Sequence, residues 1–199
     1  EAGIAAATGS LPLRNNRLSD TWTIMYTSGT TGRPKGAINT YEMGLYNAVN
    51  CSVAVALTHQ SKNLVFLPTF HTAGLNIYAN PIFHVGGCNV VMRTFDPDQF
   101  LDLLSNTDIL LTHILGVPTN FLMTTQAPSF ANADLSHLVS LAVGGAPAPL
   151  SLIEKFGDKG VMLQQLWGMT ETGPLGLLLS TDKANENAGT SGRPPEEPA

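Results

Sequence analysis

TWTIMYTSGTTGRPKG, residues 21–36, decides how the rest of this chain is read. Its first half, Thr21–Thr27, is β-branched and aromatic, the composition of a strand. Its second half, Ser28 to Gly36, is a loop rich in glycine and hydroxyl residues. Gly29, Gly32 and Gly36 let a backbone turn tightly with its N–H groups inward. Thr27, Ser28, Thr30 and Thr31 add hydroxyls that can donate to phosphate oxygens, and Lys35 adds a positive point charge. A bare Gly/Ser/Thr stretch is most often a plain surface turn. The ordered combination of hydroxyls, glycines, Pro34 and Lys35 behind a strand points instead to a phosphate cradle. It is not a Walker A loop, because Pro34 precedes the lysine and Gly36 follows it.

Beyond this stretch, short apolar strands alternate with helical stretches. Strands are expected at Leu64–Leu67, Asn89–Met92, Ile109–Leu111, Leu138–Val143, Val161–Trp167 and Leu175–Leu179. Helices are expected at Tyr41–Leu57, with Leu45, Val49, Val53 and Ala56 at helical period, and at Thr72–Phe83, with Pro81 near its end. Further helices are expected at Pro97–Leu104 behind an Asp96 N-cap, at Pro118–Thr125 and at Leu150–Phe156. The alternation predicts an α/β fold, a mostly parallel sheet flanked by helices. In such sheets ligands bind beyond the carboxyl ends of the strands. The loops of interest follow strands: Ser28–Gly36, Pro68–His71, Gly144–Pro147 and Gly168–Thr172.

Composition bounds the function. The chain has 199 residues, 43% hydrophobic and only 13% charged, against a usual charged share of about 25%. So little charge suggests that part of the surface lies against something else. The net charge of −5 leaves no basic footprint for nucleic acid, and an anionic ligand needs a locally built site. Cys51 and Cys88 lack zinc or disulfide spacing and read as buried thiols in a cytoplasmic protein. No stretch is long and apolar enough for a membrane span, and the N-terminus has no signal-peptide pattern. Residues 1–20 read as loop, 21–194 as one domain, and 195–199 as a Pro-rich end; the whole reads as a piece of a larger protein.

Tyr26–Gly36 resembles the phosphate-loop signature of the adenylate-forming superfamily. That family holds acyl- and aryl-CoA ligases, amino-acid adenylation domains and firefly-type luciferases, and the chain looks most like the fatty-acid-type acyl-CoA synthetases. Gly168-Met-Thr-Glu-Thr172 resembles the second family signature. The resemblance implies that Thr170 touches the α-phosphate and Glu171 helps hold Mg²⁺, a hard cation that prefers carboxylate oxygen. Trp167 stands where the family usually has Tyr. Gly144-Gly-Ala-Pro147 resembles the stretch along the adenine, which implies nucleotide contacts for Gly145, Ala146 and Pro147, and also for Trp167 and Gly168. Leu67–Gly74 resembles the segment facing the acid, with His71 near the reacting carboxylate. Asn187–Pro194 resembles the stretch after the nucleotide site.

The resemblance implies that ATP, Mg²⁺ and coenzyme A serve to activate a fatty or aryl carboxylic acid. It places Thr27 to Gly32 and Lys35 on the leaving phosphates. The acyl pocket falls to the helix Thr72–Phe83 with the 115–117 and 166–168 regions. The family's ribose-binding Asp and C-terminal Lys have no counterpart in these residues, so this stretch alone is expected to be inactive. Two other readings stay open. One is an amino-acid adenylation module, which would favour Asp near the His71 position. The other is a non-catalytic nucleotide-binding fragment. His59, His84, His113 and His137 match no motif and read as structural or surface residues.

Overall fold

The computed structural model describes residues 15–28, 32–180, 183 and 186–195. The first described elements form an antiparallel hairpin, β1 (Thr21–Thr27) and β2 (Lys35–Thr40), that pairs Thr27 with Lys35. Lys35 and Gly36 therefore stand on a strand, and the loop between the strands is shorter than the expected Ser28–Gly36. The β2 sequence, KGAINT, lacks clean alternation, so its pairing partner rather than its own pattern makes it a strand.

Helix α1 (Tyr41–Ala54) follows, with the Thr40 hydroxyl accepting from the Met43 N–H. It buries Asn47, Ala48 and Cys51. Leu45, Val49 and Val53, the expected inward stripe, are exposed instead. The inward face is chosen by the hydrogen bonds of Asn47, described below. The helix stops before Ala56, whose φ of 54° no helix tolerates.

The main sheet has six strands in the order β4-β3-β5-β6-β7-β8. They are β3 (Lys62–Val65), β4 (Cys88–Val91), β5 (His113–Gly116), β6 (Ser140–Val143), β7 (Leu163–Gly168) and β8 (Leu175–Leu178). All neighbours are parallel except β7 and β8. Residue alternation along β5 and β6 divides the core. Ile114, Leu141 and Val143 face helices α3 (Pro97–Leu104), α4 (Pro118–Gln126) and α5 (Leu150–Gly157), where Phe100, Phe121 and Phe156 are fully buried. Leu115 and Ala142 face α1 and the segment around Ile77, Tyr78 and Ile82. The result is a sheet buried on both faces, as parallel sheets require.

Three expectations are corrected. Ile109–Leu111 is not a strand. The Asn106 side chain accepts from the Asp108 and Ile109 N–H groups, and Leu110 has a φ of 52°. This turn lets Leu111 enter the core from a loop, and the strand begins at His113. The expected helix Thr72–Phe83 is broken into a π-turn, Ala73–Ile77, and a short α2 (Ala79–His84). Pro81 sits in the first turn of α2, where its missing N–H costs nothing. Cys88 is exposed at the start of edge strand β4, whereas Cys51 is buried and its thiol is pushed up to about 12 by desolvation. Asp96 does cap α3, accepting from Gln99 N–H at 2.9 Å. Among the described residues no helix is long and apolar enough to cross a membrane.

The sheet order reverses at β3. The chain passes from β3 to β4 on one side, then crosses back to β5 and continues outward. Carboxyl-end loops diverge at such a switch point and leave a crevice between them. Here those loops begin at Phe66 and Val117.

Candidate active site

A cleft of about 780 Å³ opens along this carboxyl edge, within the usual range for a small-molecule site. Six segments line it: the end of β1, the loop after β3, Phe95 in the loop after β4, the loop after β5, Gly144–Gly145 after β6, and the 168–171 turn after β7. Three of the loops singled out in the sequence, 68–71, 144–147 and 168–172, thus reach one cavity, and the phosphate-loop stretch reaches it through Thr27 at the end of β1. Thr27, His71, Gly145, Gly168, Thr170 and Glu171 line it directly. Ser28, Gly32, Lys35, Ala146, Pro147 and Trp167 are not among its described lining residues, and Gly29, Thr30 and Thr31 lie outside the described residues.

The hairpin is nevertheless brought to the site, because β2 packs against the turn at 170–172. Lys35, at the first position of β2, is exposed. Its ammonium is therefore hydrated and mobile on a four-carbon stem. Trp167 is 47% exposed and packs across Gly176 of β8, leaving much of its indole bare beside the cleft.

The turn after β7 is held by its own chain. The Thr172 hydroxyl accepts from Met169 N–H at 3.1 Å and lies 2.6 Å from the Pro174 carbonyl, to which it can donate. Gly168 approaches Pro174 so closely that an added Cβ would stand 2.1 Å from its carbonyl oxygen. With Thr172 committed to the backbone, Thr170 and Glu171 are left without side-chain partners among the described residues. Glu171 is exposed. A single free carboxylate fits Mg²⁺ better than a soft metal, since Mg²⁺ takes one or two carboxylates and fills its other positions with water and phosphate. No group of three or more His, Cys, Asp or Glu side chains exists among the described residues to suggest a different ion.

His71 ends the turn after β3. Its backbone N–H bonds Pro68 O, and its Nδ1 accepts from Ala73 N–H at 3.1 Å. The ring therefore caps the start of the π-turn. In the neutral form the occupied Nδ1 leaves the proton on Nε2, a free donor at the cleft wall.

Two residues passed over in the sequence hold these segments in place. Asn47 on α1 donates to Asn76 O at 2.5 Å and accepts from Leu175 N–H at 3.2 Å. It ties the π-turn to β8. Gln165 on β7 accepts from Ala148 N–H at 2.8 Å and donates to Thr190 O at 3.1 Å. It fixes the far end of the Gly144–Ala148 loop, in which Gly145 has a φ of 79°. A signal was available: two glutamines inside an otherwise apolar strand must find partners. His113 is structural, as expected. It is buried, with Nε2 2.9 Å from Val55 O, and desolvation pulls its pKa down while the Val55 carbonyl pushes it back up.

The comparisons with known proteins agree with this architecture. The AMP-binding enzyme family model matches residues 4–197. A feruloyl-CoA synthase from Amycolatopsis sp is 37% identical over 89% of this chain and 36% of its own. The N-terminal domain of FACL13 from Mycobacterium tuberculosis superposes with a TM-score of 0.85 at 29% identity, over 96% of this chain and 47% of that one. The o-succinylbenzoate CoA synthetase of Bacillus subtilis, solved with its acyl-adenylate intermediate, gives a TM-score of 0.76 at 31% identity, over 89% of this chain and 36% of that one. The chain thus spans about a third of the length of the feruloyl-CoA synthase. By its family match and its fold, this chain belongs to the AMP-binding enzyme family.

Proposed function

We propose that the full-length protein is an acid–thiol ligase that activates an aryl carboxylic acid with ATP and transfers the acyl group to coenzyme A. The observation that carries this reading is the convergence of His71, Thr170 and Glu171 on one apolar-walled cleft at the sheet's switch point.

In the first half-reaction an oxygen of the acid attacks the α-phosphorus of ATP, and the bond to pyrophosphate breaks. In the second, the coenzyme A thiol gives up its proton, its sulfur attacks the acyl carbon, and AMP leaves. Little covalent work falls to the protein, so positioning and charge neutralisation carry the rate. The loop from Thr27 to Gly32, with Lys35, binds the departing β- and γ-phosphates. Thr170 donates its free hydroxyl to the α-phosphate. Glu171 is the residue that would hold Mg²⁺, which supplies charge neutralisation on the phosphate oxygens. His71 presents its Nε2–H to the carboxylate. The backbone at Gly145–Pro147 lies along the adenine, with Trp167 and Gly168 beside it.

Two features favour an aryl acid. Phe66, Phe70 and Phe95 all line the cleft, and Phe66 and Phe95 lie 5.3 Å apart. Such rings suit the face or edge of another ring. The feruloyl and o-succinylbenzoate relatives also carry aromatic acyl groups in their names. An amino-acid substrate is disfavoured, because Glu171 is the only carboxylate among the described lining residues. If it holds the metal, none is left for an ammonium group.

The test is to incubate the full-length protein with Mg-ATP, coenzyme A and single acids from aryl, fatty and amino-acid sets, reading acyl-CoA by mass. Acyl-CoA from aryl acids is the expected result. Products from fatty acids alone would overturn the substrate class, and acyl-adenylate without any thioester would overturn the ligase reading.

A further inference from the structure

Asn120 occupies the third position of helix α4, in the loop-to-helix junction after β5, and lines the cleft. Its Oδ1 accepts from Val117 N–H at 3.2 Å. That bond settles which way the amide faces, since only the oxygen can accept. Nδ2, with two N–H donors, then has no partner among the described residues. The cleft that it lines is also walled by the apolar residues Phe66, Phe95, Gly116 and Val117. An amide donor amid such a wall loses hydrogen-bonding freedom when a ligand displaces water, unless the ligand supplies an acceptor.

The position along the sheet says which part of a ligand this is. The strands run β3-β5-β6-β7, so the end of β5, which leads into α4 and Asn120, lies two strand spacings, roughly 10 Å, from the end of β7, which leads into the Thr170–Glu171 turn. That spacing separates Asn120 from the phosphate-facing end of the cleft, on the side of the sheet where Phe66 and Phe95 line it. Thr170 and Glu171 follow β7, whereas Asn120, Phe66 and Phe95 follow β5, β3 and β4 on the other side of β6.

The geometry points to Asn120 as a specificity-determining residue: its Nδ2 donates to a hydrogen-bond acceptor, such as an ether, hydroxyl or carbonyl oxygen, on the ring of the acid substrate. This rests on the aryl-acid reading above. The enzyme accordingly discriminates between acids of equal shape by the presence of one distal oxygen.

The test compares 3- and 4-methoxycinnamic acids with the 3- and 4-ethyl analogues, which match them in shape but lack the acceptor. Full-length protein is assayed for kcat/KM in acyl-CoA formation and, separately, for acid binding by calorimetry. At least one methoxy acid is preferred roughly tenfold over its ethyl partner, the worth of one good neutral hydrogen bond. Asn120→Asp keeps an oxygen for Val117 N–H but removes the donor, and it brings that ratio to about one or below. Its added charge weakens both acids of a pair alike, so the ratio isolates the contact. Asn120→Ala gives the same loss of preference without the charge. Equal handling of both acids by the wild type, or an unchanged ratio in both variants, overturns the assignment. A tenfold binding preference without acyl-CoA formation supports Asn120 and sinks the ligase reading alone.

Discussion

The middle of the six-stranded sheet and its carboxyl edge carry polar side chains of similar kind and treat them in opposite ways. In the middle, Ser140 has one proton to give and gives it to Gln164 Oε1 at 2.6 Å, so Tyr78 must be the donor in its 2.7 Å contact with Ser140. Gln164 passes the chain on to Leu179 O at 3.2 Å. Every link is buried, and burial pushes the Tyr78 phenol upward. At the edge, Thr170, Glu171, Nε2 of His71 and Nδ2 of Asn120 have no protein partner among the described residues. Buried polar groups left unpaired cost about 1–3 kcal/mol each, so interior groups are committed to the fold. Edge groups can rely on water until a ligand arrives. The contrast separates residues that hold the sheet from residues available for chemistry.

The sharpest way to break that contrast is at the edge. Glu171→Ala and Lys35→Ala in the full-length protein each lower the adenylation rate by roughly 100-fold or more, the scale of losing one charge-stabilising group. Both leave the thermal unfolding midpoint almost unchanged, because neither side chain is buried or bonded among the described residues. A large drop in that midpoint, or unchanged rates, would mean that the edge is structural. The interior should give the reverse pattern. Ser140→Ala strands Tyr78 and Gln164 and destabilises the fold by about 1–3 kcal/mol in denaturant titration. The folded fraction keeps its kcat.

A smaller effect concerns His113. Its pKa is lowered in the folded state, so the unfolded chain binds a proton first as pH falls. The stability it contributes is fully present above about 6.5, its ordinary value, and declines as pH drops from there toward the folded-state value. Urea titrations between pH 7 and pH 5 read that slope, and His113→Asn removes its own part of it. No difference in slope between the two proteins would contradict the buried neutral imidazole.

The strand–loop–strand logic of the sheet was legible in the sequence, because the apolar runs are short, the loops carry glycine, and Asp96 and Pro97 mark a helix start. The four loop segments were legible for the same reason: small, hydroxyl and charged residues cluster behind strands. Three kinds of feature were not. Strand β2 exists through its pairing with β1, which no local pattern announces. Helix α1 turns its better apolar stripe outward, because Asn47 is required inside to bond Asn76 and Leu175. Gln165 and Asn120 act through partners 17 and 3 residues away, and only the fold reveals that one holds a loop while the other leaves an amide facing the cleft. Expectations that used periodicity alone failed at Ile109–Leu111, where an Asn side chain captured the backbone first.

We propose that the carboxyl-edge cleft performs adenylation of an aryl acid. The most direct measurement is acid-dependent exchange of labelled pyrophosphate into ATP by the full-length protein, without coenzyme A, with Glu171→Ala measured in parallel. Exchange is expected to require an aryl acid and to fall at least roughly 100-fold in the variant, the loss of one charge-stabilising group. Acid-independent exchange, or equal exchange by the variant, would contradict it.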